Sequence, residues 1–164
     1  MKKPQAPLGR DDCVAMARLC LSASLRRTER LVTRHYDEYL ADAGVTAVQL
    51  PILAIIAGTA APSFRFLSEE LELDRSTLSR NLALLQRRGL LDVGASSGPK
   101  AGTITLTATG HDTLRRAHRL WLDAHRNLEA SLSDGGVTQG LRFLKRLRRA
   151  VRGKDESVRR SGAR

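Results

Sequence analysis

From Asp11 to Leu40, apolar and small residues return at three- and four-residue steps: Val14, Ala17, Leu21, Leu25, Thr28, Val32, Tyr36 and Tyr39. That period puts them on one face of a single long helix, with Gly44 placed to cap its end. A second helix opens at Thr46, a good N-cap residue, and carries Leu50, Ile52, Leu53 and Ile56. Pro51 lies about one turn in, where it is tolerated with local distortion. Gly58–Pro62 reads as a turn. A short helix, Leu67–Leu71, leads to a tight turn at Leu73 and Asp74. Asp74 then caps the next helix, Arg75–Arg88, and Gly89 stops it.

The period next changes. Leu90–Val93 and Thr103–Thr107 are two short strands around a polar loop, Gly94–Gly102, that holds three glycines and a proline. The β-branched run Thr103, Ile104, Thr105 supports the second strand, and a hairpin with a mobile tip follows. Thr107 or Thr109 opens a long amphipathic helix to about Leu132, with Leu114, Ala117, Trp121, Ala124 and Leu128 as its apolar stripe. Asp134–Gly136 breaks it. A last helix, about Thr138–Val151, sets Leu141, Leu144, Leu147 and Val151 against Arg142, Lys145, Arg146, Arg148, Arg149 and Arg152. Residues 1–10 read as a flexible arm and 153–164 as a disordered basic tail.

The segment Leu67–Leu85 carries the most information. Leu78, Leu82 and Leu85 fall within about 60° of one another at ~100° per residue, so they are the buried side of their helix. Ser76, Ser79, Arg80, Ala83 and Arg87 form the opposite side. Short residues let a backbone approach a DNA groove, hydroxyls reach phosphates or bases, and arginine pairs with guanine edges or phosphate. Arg75 and Thr77 flank that side at the helix N-terminus, where the dipole favours phosphate and recognition helices make their contacts. The competing reading is an ordinary solvated helix with an arginine-rich back.

Charge agrees with the first reading. The 164 residues carry a formal net charge of +11 and a pI near 10.9, which calls for a polyanionic partner, nucleic acid being the commonest. Aromatic residues are only 4% of the chain, so aliphatic side chains build the core. Two cysteines, Cys13 and Cys20, are too few for a disulfide framework or a structural zinc site. No apolar run approaches ~18 residues and Met1–Arg10 lacks an apolar leader core, so the expected location is cytoplasmic. His111, His118 and His125 repeat every seventh residue, a ~10.5 Å step that keeps neighbours from sharing one ion; no metal or other cofactor is expected. Phosphate-loop, GxSxG and HExxH motifs are missing, and the adjacent Asp37 and Glu38 make a poor acid/base pair, so an enzyme is not expected.

A helix-turn-helix followed at once by a glycine-punctuated hairpin and a long helix resembles the multiple-antibiotic-resistance regulator (MarR) family of winged helix-turn-helix transcription factors. The matching stretches are Arg30–Tyr36 (RLVTRHY), Gly44–Gln49 (GVTAVQ), Leu67–Leu91 and the LTATG of Leu106–Gly110. The expected fold is mainly α with a small β-hairpin wing. A winged helix-turn-helix lobe, residues 45–107, joins a helical dimerisation region, 11–44 and 108–152. The resemblance implies a homodimer on a pseudo-palindromic operator, with the recognition helix in the major groove and the wing tip in the minor groove. It also implies a repressor's role and, often, control by a small-molecule effector. Arg75, Ser76, Thr77, Ser79, Arg80, Arg87 and Lys100 are the expected DNA contacts.

Two positions depart from the family. Counting six residues back from Leu106 places Lys100 where the wing arginine is usual, and Gly98 where its bracing aspartate is usual. Lys100 keeps the cation without the guanidinium fork. Glu72 occupies a turn position where the family usually has glycine; a left-handed backbone there costs on the order of 1 kcal/mol.

Three further candidates have two readings each. His35, Tyr36 and Tyr39 line an effector pocket or fill core and interface. Cys20 is a redox switch, with Arg18 and Arg26 near enough in sequence to lower a thiol pKa, or a buried structural cysteine. The apolar stripes of the terminal helices pair with a second chain or fold into an intrachain bundle. The rival functions are a redox-responsive regulator using Cys20 and a sequence-blind architectural nucleic-acid-binding protein.

Overall fold

The computed structural model describes residues 8–94, 102–132 and 135–161, by backbone alone beyond residue 153. The order is α1 (Arg10–Leu19), α2 (Leu21–Leu40), a single 3-10 turn (Ala41–Ala43), α3 (Gln49–Gly58), α4 (Phe64–Leu71), α5 (Arg75–Arg87), β1 (Leu91–Val93), β2 (Ile104–Leu106), α6 (Ala108–Leu132) and α7 (Gly136–Ser161). The chain divides into two compact units, Met1–Trp121 and Leu122–Arg164. Among the described residues no helix is long and apolar enough to cross a membrane.

The first unit is built around one aliphatic core. Leu40 of α2, Ile52, Leu53 and Ile56 of α3, Leu67 of α4, Leu78, Leu82 and Leu85 of α5, Leu91 and Ile104 of the hairpin, and Ala117 of α6 all bury their side chains in it. Tyr36, Leu114 and Trp121 pack against it from the rim.

Local chemistry sets the boundaries. Gly44, at φ +70, ends the 3-10 turn with its N–H on the Ala41 carbonyl. Thr46 and Gln49 then form a reciprocal capping box: the Gln49 N–H donates to Thr46 Oγ1, and the Thr46 N–H to Gln49 Oε1, each at 3.3 Å. Pro51 lies just past the turn that Thr46 opens: the Leu50 N–H still reaches the Thr46 carbonyl at 2.9 Å, and proline, lacking an N–H, forgoes the next helical bond, to the Ala47 carbonyl. Asp37 Oδ1 accepts from the Ala47 N–H at 2.6 Å, tying α2 to the entrance of α3. A hydrogen bond to a charged group contributes about 1.5–3 kcal/mol. We therefore expect Asp37→Ala to lose stability in the lower part of that range, because Asp37 is only half-buried, read as a lower urea midpoint at an unchanged m-value.

Three expectations are corrected. The single first helix is two: Cys20 adopts an extended backbone, φ −69 and ψ 105, between α1 and α2. The four-residue stripe continues across that break, so periodicity alone does not reveal it. The short helix begins at Phe64 rather than Leu67, because the Ser63 hydroxyl accepts from the Phe66 N–H at 3.2 Å and caps it. The last helix runs on to Ser161 instead of giving way to a disordered tail at Gly153. A glycine within a helix costs about 1 kcal/mol relative to alanine without ending it. Of the N-terminal arm, Met1–Pro7 lies outside the described residues, and Arg10 already belongs to α1.

Candidate nucleic-acid interface

Helix α5 is fixed at both ends and along its buried side. At its start, Asp74 Oδ1 accepts from the Thr77 N–H at 2.8 Å, which satisfies an otherwise orphaned helix donor. Before it, Glu72 holds the left-handed conformation, φ 52, that the turn demands. The Ser68 hydroxyl supports that turn by donating to the Leu73 carbonyl at 2.8 Å. At the other end, Leu90 N–H reaches the Leu85 carbonyl and Gly89 N–H the Gln86 carbonyl, with Gly89 at φ +68. This paired arrangement is a Schellman stop, with buried Leu85 and Leu90 making its hydrophobic contact.

Between those ends Leu78, Leu82 and Leu85 are buried, whereas Arg75, Ser76, Ser79, Arg80 and Arg87 are exposed and Thr77 is half-buried. The side chains at the N-terminal turn form a connected set. Ser76 Oγ donates to Asp74 Oδ1 at 2.6 Å. Arg80 Nε donates to the Ser76 carbonyl at 3.2 Å, and Arg80 Nη2 to Thr77 Oγ1 at 3.3 Å. A guanidinium has five N–H donors, so both hydrogens of Nη1 and one of Nη2 remain for a partner. Arg75 sits apart, its guanidinium carbon 5.5 Å from the centre of the Phe64 ring. Arg87 is at the far end of the helix.

The hydrogen bonds from Ser76 and Thr77 hold the Asp74 carboxyl far below the ordinary aspartate range. A depressed acid pKa contributes stability that is fully present above the ordinary value and is lost as pH falls from there toward the depressed one. Wild-type protein is therefore expected to lose melting temperature on acidification through that window. Asp74→Ala should melt lower at neutral pH and show a shallower acid slope. Equal slopes in thermal scans across pH would remove Asp74 as the cap that titrates.

The hairpin is a two-stranded antiparallel ribbon with Leu91 opposite Leu106, Asp92 opposite Thr105 and Val93 opposite Ile104. Gly94 N–H closes it on the Thr103 carbonyl at 2.8 Å. Residues 95–101 lie outside the described residues, and Lys100 lies there with them.

The LTATG segment proves to be the clamp between the hairpin, α5 and α6. Thr107 N–H donates to the Leu90 carbonyl at 3.1 Å, and Thr107 Oγ1 donates to the Gly89 carbonyl at 2.7 Å. The same oxygen accepts from the Gly110 N–H at 3.0 Å, which caps α6. Gly110 is buried against the strand, and a Cβ placed on it would lie 2.1 Å from the Leu90 carbonyl oxygen. Thr107 and Gly110 thus act as positioning residues; only their family pattern, not this contact, is visible in the sequence.

The other candidates fall elsewhere. His35, Tyr36 and Tyr39 do come together on α2: the His35 ring centre is 5.5 Å from that of Tyr36 and 5.2 Å from that of Tyr39. All three are half-buried, and burial pushes the Tyr36 hydroxyl pKa up. A separate open groove of about 890 Å³ runs between α3 and α6, lined by Ala54, Ala57, Gly58, Leu114, His111, His118, Arg115 and Arg119. Arg115 pairs with Asp112 at its edge, and His118 stacks on Trp121 at 6.0 Å. Cys20 is exposed, as is Cys13, which corrects the reading of Cys20 as a buried structural cysteine. Among the described residues no three His, Cys, Asp or Glu side chains gather as a metal site would require.

A capped helix-turn-helix whose second helix runs into an antiparallel hairpin and then a long helix defines a winged helix-turn-helix protein. The family model of MarR matches residues 43–101. The transcriptional regulator MosR of M. tuberculosis is 30% identical, superposes with a TM-score of 0.73, and the match covers 84% of this chain and 98% of MosR. The structure of MosR in complex with DNA matches at 30% identity and a TM-score of 0.68, over 81% of this chain and 98% of the other. Wild-type MarR of E. coli in its apo form matches at 25% identity and a TM-score of 0.62, over 79% and 97%. No curated protein matches. The chain belongs to the MarR family of transcriptional regulators.

Proposed function

We propose that this protein is a homodimeric, sequence-specific DNA-binding repressor that answers to a small-molecule effector and works in the cytoplasm, without enzymatic activity. The observation that carries the reading is the division of α5. Leu78, Leu82 and Leu85 are sunk in the core, and Ser76, Ser79, Arg80 and Arg87 stand exposed on a helix capped at both ends. Ser76, Thr77, Ser79 and Arg80 are assigned to the major groove, and Arg75 and Arg87 to phosphates, where helix N-termini and cations set register. Lys100 is assigned to the minor groove. The DNA held by MosR in its complex supports the choice of partner.

Pairing follows from what a single protomer leaves uncovered. Val14, Met16, Leu19 and Leu21 near the α1–α2 junction, and Leu141, Phe143 and Val151 on α7, are all exposed. Apolar surface of this extent on terminal helices is covered by a second copy. The effector reading rests on the α3–α6 groove, whose volume suits a small molecule. Its rim of His111, His118 and Arg119 suits an anionic one.

Footprinting on the DNA upstream of the protein's own gene, in excess nonspecific competitor, tests the whole. A protected pseudo-palindrome and a dimer mass by light scattering are expected. Loss of all protection under competitor would instead leave a sequence-blind binder, and a monomer at working concentration would remove the two-fold.

A further inference from the structure

Helix α7 has two unlike sides. Residues 136–153 contain no aspartate or glutamate and six cations: Arg142, Lys145, Arg146, Arg148, Arg149 and Arg152. At ~100° per residue, Arg142, Lys145, Arg146 and Arg149 share an arc of about 100°, and they extend over ~10.5 Å of helix axis. Leu144, Leu147 and Val151 lie on the opposite side, with Leu144 and Leu147 half-buried. The four cations are exposed and, with Gln139, line one shallow concavity. Among the described residues, no ion pair joins an acidic side chain of α6 to these four cations. In the α6 part of this unit, Asp123 is held by Arg126, and Glu129 Oε2 accepts from the Val137 N–H at 3.0 Å.

Four like charges crowded on one arc repel one another, and each loses that repulsion when a polyanion lies along them. Duplex DNA presents one phosphate charge per ~1.7 Å of axis, so a stripe of this length meets several. We propose that the cationic side of α7 is a second, sequence-independent DNA site that binds the phosphate backbone of duplex DNA without help from α5. The choice of duplex DNA among polyanions rests on the function proposed above. If the apolar side of α7 is taken up by a second copy of the chain, the stripe is left facing outward. A dimer then carries two such stripes.

The test uses the full-length protein with Arg142, Lys145, Arg146 and Arg149 all changed to Gln. Affinity for a duplex without the operator is measured across a salt series, and the operator footprint is mapped in parallel. Neutralising four phosphate contacts should flatten the log K against log[salt] slope by about 3–4 for each engaged helix, and leave the protected bases unchanged. An equal neutralisation on α2, at Arg26, Arg27, Arg30 and Arg34, controls for net charge and should move the slope much less. The double change Arg142→Gln with Arg149→Gln serves if the fourfold variant unfolds, with about half the effect expected. Arg80→Ala gives the opposite pattern, losing the footprint while operator-free binding persists, so failure of one reading is distinct from failure of the other. An unchanged slope, an equal loss in the α2 control, or a loss confined to RNA or to vesicles with anionic headgroups would overturn the proposal.

Discussion

Replacing Gly110 with alanine is expected to destabilise the protein by about 3 kcal/mol, the upper part of the range for overpacking a tight contact. For a chain of this size that corresponds to a melting temperature about 6–12 °C lower. The reason is a single distance. The new methyl group would lie 2.1 Å from the Leu90 carbonyl oxygen, which is backbone and cannot swing aside as a side-chain tip does. That carbonyl also accepts the Thr107 N–H, and the neighbouring Gly89 carbonyl accepts the Thr107 hydroxyl. Relief therefore means moving the start of α6 away from the end of α5, with both bonds weakened and the base of the hairpin shifted. DNA affinity should fall along with stability, since the hairpin and α5 are set by the same clamp. Gly140→Ala is the control. It sits inside α7 with nothing near its would-be Cβ, so it should be neutral or stabilising by up to about 1 kcal/mol. Equal melting temperatures for Gly110→Ala and wild type would show that α6 and the strand do not approach so closely.

The same clamp shows which features a sequence exposes. The boundaries of α5 are legible because their causes are local: Asp74 three residues before the N–H it accepts, Gly89 at a left-handed stop, leucines at helical spacing. The LTATG pattern is legible as a family mark, but the need for glycine at its end depends on a carbonyl twenty residues earlier, which no window of periodicity reaches. Asp37 is similar. Beside Glu38 it reads as a poor catalytic partner, whereas its contact lies ten residues on, at the Ala47 N–H. The break at Cys20 has no proline or glycine to announce it, and nothing in the structure explains it. Ser63 is a cap residue just before Phe64 and Phe66, and a local signal of this kind is legible in the sequence, although Pro62 extends the turn up to it. Gly153 misled in the opposite direction: glycine stops a helix where the chain turns left-handed, as at Gly89, and Gly153 lies inside a continuous helix. Among the candidate contacts, the exposed row on α5 was readable from its period. The web from Asp74 through Ser76 and Thr77 to Arg80 was not, because it depends on rotamers.

That web makes Arg80 the residue whose loss should cost DNA recognition most for the least structural damage. Its Nε and one Nη2 hydrogen are spent on the Ser76 carbonyl and Thr77 Oγ1, which tie the guanidinium to the helix N-terminal turn and leave three N–H donors of an exposed side chain for a partner. A bidentate arginine contact to guanine contributes about 1–3 kcal/mol of discrimination, and a two-fold dimer makes it twice. Arg80→Ala is therefore expected to weaken operator binding on the order of a hundredfold at fixed salt. Both hydrogen bonds are exposed, so the melting temperature should stay close to wild type. Arg80→Lys separates geometry from charge: lysine keeps the cation but lacks the planar fork. It should retain binding to unrelated duplex and its salt slope while still losing most of the operator preference. If both variants bind operator as wild type does in gel shifts at one salt concentration, the outward side of α5 does not read the bases. If Lys restores what Ala removes, Arg80 acts on phosphate alone and the discrimination must lie with Ser76, Thr77 and Ser79.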